Sequence, residues 1–250
     1  MTEREIRIRT ADGDMRTFIS HPDTGGPFPV ALVFMDGIGY REQVKENARR
    51  FAADGYYCAV PDLFHRSGEI PAFDFSGNVS DEERQRMMKI VSTVTPENMV
   101  ADTRAVIAEV SRDSAASRGP MVCVGYCMGA RVALHIAASM PEQFVAAAGI
   151  HPGALITDKA DSPHHDLSEV RGELYFAFAE IDRSATAELV DQFRDEMQKA
   201  RVRGVVERLP GVAHGFSMED LPVYNRDAAE RHFERTLDLW RRNLSAQPVA

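Results

Sequence analysis

Short, continuously apolar runs recur along this chain, and helix-periodic stretches separate them. "VALVF" at 30–34, "YYCAV" at 56–60, "MVCVG" at 121–125, Phe144 to Ile150 and "ELYFAF" at 173–178 each read as a strand. A strand that is apolar at every position, not at alternate ones, is buried on both faces, which is the state of a central strand in a parallel sheet. Parallel neighbours cannot be joined by a hairpin and need a crossover, and the intervening segments supply one. Residues 41–54 carry Val44, Ala48, Phe51 and Ala52 on one stripe with Gly55 at the end, and 96–110, 128–139, 186–200 and 226–243 show the same spacing. "GVVERL" at 204–209 is a weaker strand, and residues 5–10 and 16–21 flank "ADGD", a hairpin signal. The pattern predicts an α/β fold: a mostly parallel central sheet with helices on both faces.

The size fits one such domain. A chain of 250 residues, 44% hydrophobic and 27% charged, buries roughly 70–75% of its unfolded surface without a staple. No repeat or linker interrupts it, so residues 1–250 read as a single domain, with a pocket-wall excursion at 61–95, where periodicity fails and a polar helix at 81–94 follows. A second polar stretch, rich in histidine, covers 152–170. A net charge of −9 argues against nucleic-acid or anionic-membrane partners, which need basic patches. A small molecule is the expected partner. Cys58, Cys123 and Cys127 form neither a CxxC pair nor a disulfide framework, no histidine has a partner at metal-ligand spacing, and neither a leader peptide nor a membrane span is read. The expectation is a cytoplasmic protein without metal or cofactor.

The chemistry is signalled by "VGYCMGA", residues 124–130. Strand, Gly-x-nucleophile-x-Gly, helix is the nucleophile-elbow pattern, with Cys127 in the nucleophile position. Gly125 and Gly129 remove side chains that would collide across so sharp a turn. The helix that follows directs its amino-terminal amides and positive dipole end at Cys127, favouring a thiolate and supplying an oxyanion donor. On this motif alone, a buried structural cysteine beside helix-packing glycines is an equal reading; Cys58 and Cys123 read that way within their strands. Chain order favours catalysis, because an acid and a histidine follow in the order nucleophile, acid, histidine. His214 lies in "PGVAHGF" and Asp182 in "FAEIDRS"; Glu180 competes with Asp182 for the acid, which the later position in the turn favours. His151, at the end of a strand, is expected at the pocket wall, and His164 and His165 read as a solvated surface pair.

"VGYCMGA", "FAEID" and "VAHGF" in this order, together with "DGYYCAVPDLFHR" at 54–66 and "DEERQR" at 81–86, resemble the dienelactone hydrolase family, the cysteine-dependent branch of the α/β-hydrolases, over nearly the whole chain. The resemblance implies a triad of Cys127, Asp182 and His214 and an oxyanion hole formed by the amides of Gly37 and Met128. It also implies an auxiliary carboxylate that helps to deprotonate the thiol. The family has glutamate there, and this chain has Asp36, one methylene shorter. Of two arginines that bind the dienelactone carboxylate, one aligns on Arg86 and the other falls on Met218. The loss removes a charge-assisted anchor of roughly 1.5–3 kcal/mol, so the resemblance points to a small ester or lactone other than dienelactone itself. A broader carboxylesterase, a thioesterase, an acyl-transfer variant and a non-catalytic ligand-binding relative are the alternatives.

Overall fold

A computed structural model describes residues 1–75 and 79–245 of the chain in two compact units, Met1–Gly119 and Pro120–Ala250. The first unit opens on the hairpin β1 (Thr2–Thr10) and β2 (Gly13–His21), longer at both ends than the sequence signal, because a two-residue turn lets pairing continue to Thr10 opposite Gly13. β3 (Val30–Phe34) and β4 (Tyr57–Pro61) are buried at every position and pair in parallel, giving the order β1-β2-β4-β3. Between them α1 (Glu42–Ala53) buries Val44, Asn47, Ala48, Phe51 and Ala52. α2 (Asp81–Val91) starts at Ser80, whose hydroxyl accepts from the Glu83 amide, and buries no residue. α3 (Pro96–Val110) is capped by Thr95, with proline in its first turn. Of the predicted excursion at 61–95, residues 76–78 lie outside the described residues; the rest carries a short 3₁₀ turn, His65–Ser67, and α2. Below that turn Arg66 and His65 both bond the buried Asp102.

The second unit alternates strictly. β5 (Met121–Tyr126), α4 (Met128–Ser139), β6 (Phe144–Ile150), β7 (Glu173–Ile181), α5 (Ala187–Lys199), β8 (Gly204–Ala213) and α6 (Arg226–Ser245) follow in turn, and the four strands pair in parallel in the order β5-β6-β7-β8. β5 and β6 are buried throughout, as continuous apolar runs require. α4 and α6 both pack on β5 and β6; α6 buries Phe233, Leu237 and Trp240 and holds solvent off with its arginines and glutamates. β7 and β8 extend beyond their apolar cores to Ile181 and Ala213, through a register shift between Ala179 and Ile181. Pro210 and Gly211 sit in that irregular stretch, with Gly211 at φ 73°. An edge strand tolerates both residues. The two extensions carry the chain directly to Asp182 and His214.

Candidate active site

β5 ends at Tyr126 and α4 begins at Met128, which leaves a single residue for the turn. That residue, Cys127, adopts φ 52° and ψ −111°, a left-handed backbone that a side chain occupies only under constraint. Its amide bonds the Ile150 carbonyl at 2.9 Å. Gly125 shows why the motif needs glycine: a Cβ there would stand 1.8 Å from the Gly129 carbonyl oxygen and 2.6 Å from the Ala130 nitrogen. The Met128 amide is the first of the helix, at its positive end. Cys127 is half-buried. Cys58 and Cys123 are fully buried in β4 and β5, and burial pushes both thiols well up, so neither offers a thiolate.

Two further groups reach the same end of the sheet from the carboxyl ends of β7 and β8. His214 Nδ1 and Asp182 Oδ2 are 2.5 Å apart, and the His214 amide bonds the Ile181 carbonyl, so main chain and side chain register the two loops together. Asp182 is itself held: the Ser184 amide and hydroxyl donate to its Oδ1 at 2.8 and 2.7 Å. Burial raises its pKa, but the His214 hydrogen bond and charge, with the two Ser184 bonds, outweigh it and hold the carboxyl below the usual range. For His214, burial pulls the imidazolium down. The negative charge of Cys127, the hydrogen bonds to Asp182 and Cys127 and the Asp182 charge act against it, and its pKa is pushed up to about 10. His214 thus interacts with the sulfur of Cys127 and with the carboxylate of Asp182. The His214 side chain remains 32% exposed against 4% for Asp182, so a substrate can reach the histidine and not the acid. Glu180, the competing acid, accepts from the Gly211 amide at 2.8 Å and from Arg208; it fastens the β8 irregularity.

The other candidates are placed as follows. His151 follows β6 directly at φ 38° and is 1% exposed, its Nε2 2.8 Å from Ser217 Oγ and its ring 5.1 Å from that of His214. It is a buried neighbour of the histidine, without the solvent-facing surface of a pocket wall. Met218 is fully buried, so no atom of it faces an open pocket in this structure. In the first unit, Asp36 is buried at the end of β3. Arg41 donates to both its oxygens, at 2.7 and 3.0 Å, and the Ile38 amide bonds Oδ1. Gly37 is buried, and a Cβ there would meet Val91 and Met87 of α2 at 3.5 and 4.0 Å. Arg86 is exposed on α2, over the Phe73 ring and 3.7 Å from Glu83. Sequence reasoning missed Ser184, Ser217 and Arg41. Ser184 had a visible signal, since Asp-x-Ser after a strand is an Asx-turn pattern; the other two had none. The His164 and His165 rings lie 4.0 Å apart between centroids, tilted by 42°, and Ser162 bonds His164. Two surface clefts of the second unit, of about 300 and 470 Å³, lie apart from the triad, walled by Arg171, Arg203 and Arg242 and by His164, His165 and Asp158.

The model of the dienelactone hydrolase family fits residues 15–244, running through both units. The chain belongs to the dienelactone hydrolase family. Relatives within it include a "Putative carboxymethylenebutenolidase" of Methylorubrum extorquens, 24% identical with 95% of this chain and 80% of that protein covered, and one of Yersinia pestis, 25% identical with 98% and 90% covered. The crystal structure of a "Putative Dienelactone Hydrolase" from Klebsiella pneumoniae superposes with a TM-score of 0.85 at 20% identity, covering 96% of this chain and 98% of that one. The dienelactone hydrolase-like phosphotriesterase P91 from metagenomic libraries gives 0.77 at 19%, covering 97% and 98%. At those identities the structures establish the α/β-hydrolase fold. Membership makes the chain a hydrolase of ester or lactone bonds in small molecules. Among the described residues no helix is long and apolar enough to cross a membrane.

Proposed function

We propose that this family member hydrolyses a small, predominantly neutral ester or lactone through a cysteine acyl-enzyme, with Cys127, His214 and Asp182 as its triad. The observation that carries the reading is the pairing of a strained elbow at Cys127 with a His214 held by Asp182 at 2.5 Å. Cys127 Sγ attacks the acyl carbon, and the resulting oxyanion takes the Met128 amide as a donor. As the tetrahedral species collapses, His214 gives its proton to the leaving oxygen, the carbon–oxygen bond breaks and a thioester remains. Water then loses a proton to His214 and attacks the thioester; the carbon–sulfur bond breaks, the acid product leaves, and the sulfur of Cys127 is released beside the protonated His214, as at the start of the cycle. Asp182 keeps the imidazole in one tautomer and supports its charge throughout, as the family resemblance implies. By the same resemblance Gly37 supplies a second oxyanion donor, Asp36 assists the thiol, and Arg86 is the single anchor left for any carboxylate a substrate carries. The methionine at 218 supports the altered substrate choice, because it leaves the family's second arginine anchor without a counterpart in the sequence.

The test is turnover of p-nitrophenyl acetate and of a panel of neutral and carboxylate-bearing lactones, before and after iodoacetamide treatment, with a Cys127→Ala variant alongside. Loss of all turnover on alkylation and in the variant, with neutral substrates preferred, is the expected result. Retained turnover in Cys127→Ala refutes the nucleophile, and a strong preference for carboxylate-bearing lactones refutes the altered pocket.

A further inference from the structure

His214 has three neighbours that fix a ring: Asp182 at Nδ1, Cys127 on the other side, and the imidazole of His151. Nothing in the triad requires the third. His151 stands at φ 38°, a conformation a bulky residue holds only when its surroundings impose it. The imposing contacts are visible. The His151 amide bonds the Ala177 carbonyl of β7 at 2.7 Å, and its Nε2 lies 2.8 Å from the hydroxyl of Ser217, a side chain 2% exposed. Ser217 is three residues beyond His214, in a stretch of consecutive tight turns, where the Phe216 amide bonds Ala213 and the Met218 amide bonds Gly215. The hydrogen bond therefore ties the loop carrying His214 to the end of β6. The ring it fixes stands at 63° to His214, 5.1 Å between centroids, and at 81° to Phe216, 5.3 Å away.

A buried hydrogen bond between a strained strand end and the catalytic loop has a direct consequence for the reaction. The Asp182 bond fixes one nitrogen of His214 but leaves the ring free to swing about that contact, and a swing moves the other nitrogen off sulfur. A packed ring at 63° blocks it. We infer that His151 and Ser217 form a positioning pair: Ser217 clamps the loop, and the His151 ring is the wall that keeps the His214 imidazole aimed at Cys127. The pair touches no reacting atom, so its effect falls on kcat and not on substrate binding.

This inference rests on the cysteine triad proposed above, and the readouts separate the two. Ser217→Ala, His151→Phe and Ser217→Thr are compared with wild type by kcat and KM on p-nitrophenyl acetate, by the downfield proton resonance of the His214–Asp182 hydrogen bond, and by the His214 titration midpoint in carbon-13 NMR. Ser217→Ala is expected to lower kcat by about 10- to 100-fold at a KM within about twofold, to broaden the downfield resonance and to move the His214 midpoint down from its raised value. Ser217→Thr, which keeps the hydroxyl, should recover most of the loss. His151→Phe keeps a ring without the hydrogen bond and should fall between. The inference is overturned if Ser217→Ala and His151→Phe fold with wild-type kcat and an unmoved midpoint. It is equally overturned if activity falls only in step with the folded fraction while the resonance and midpoint of the folded protein stay put. Loss of the triad reading would show differently, as turnover surviving Cys127→Ala, whatever the NMR of Ser217→Ala reports.

Discussion

Gly125→Ala isolates the elbow from the chemistry it presents. The added methyl would sit 1.8 Å from the Gly129 carbonyl oxygen and 2.1 Å from its carbon, where real Cβ contacts do not fall below 3.0 Å. Relief requires α4 to retreat by about 1.2 Å. That helix has little room, since nine of its twelve residues are buried. Overpacking of this kind costs about 1–3 kcal/mol, and with backbone on both sides of the clash the upper figure applies. At about 2–4 °C per kcal/mol for a protein of this size, Tm should fall by about 6–12 °C. The same displacement carries the Met128 amide and Cys127 away from His214, and an error near 1 Å in such a constellation costs about 100-fold in rate. Gly55→Ala is the control. It also has positive φ, at 95°, but nothing lies within 4 Å of its Cβ position, so only backbone strain of about 1–2 kcal/mol is expected, with kcat unchanged. Differential scanning calorimetry and p-nitrophenyl acetate turnover read both effects. If Gly125→Ala keeps kcat within about threefold of wild type and loses no more Tm than Gly55→Ala, the steric account of the elbow is wrong.

Other outcomes follow from the same geometry. Cys127→Ala should be inactive, whereas Cys58→Ala and Cys123→Ala should lose stability in urea titrations and keep their turnover per folded molecule, both being closed in strands. Asp182→Asn should lower kcat by about 10³- to 10⁴-fold by presenting the wrong tautomer partner, and Glu180→Gln should stay near wild type in a steady-state assay because that carboxylate holds Gly211 and Arg208. His214 is raised to about 10 from 6.5, so its stabilisation is complete below about pH 6.5 and lost as pH rises through 10; Asp182 is depressed below 3.8, so its share is present above that value and lost on acidification. The Tm gap between wild type and Asp182→Asn should therefore be widest between these limits, and a gap that widens above pH 10 contradicts the linkage. Asp36→Asn leaves Arg41 buried with half its partner and should cost about 3–5 kcal/mol in urea unfolding, a loss that an unchanged midpoint would exclude.

The central strands were legible because burial on both faces leaves an unbroken apolar run, as in Val30–Phe34 and Phe144–Ile150, where the structure begins and ends each strand at the predicted residues. α3 and α4 matched for a similar reason, each having a sharp start at Pro96 and at the residue after the elbow. β8 was less legible past Leu209: it is an edge strand, half exposed, and Pro210 and Gly211 read as a turn when only a register shift is present. Hence the strand was expected to end at Leu209, and it runs on to Ala213, immediately before His214. Cys127, Asp182 and His214 were singled out by the elbow motif and chain order, and the structure brings Asp182 and His214 together at 2.5 Å. What surrounds them was not. Burial of Met218 and the His151–Ser217 bond depend on how non-adjacent segments pack, and the fork of Arg41 on Asp36 depends on a turn whose conformation no local pattern specifies.

The placement of the triad on three separate strand ends sets a clock on the nucleophile. Cys127 leaves the ribosome about ninety residues ahead of His214, an interval on the order of 5–20 s at ordinary rates of synthesis. Throughout it the thiol has neither its imidazole partner nor the finished β7 and β8 that bring that partner home. On the proposed triad, the sulfur of Cys127 gains its imidazole partner only when β8 has closed beside β7.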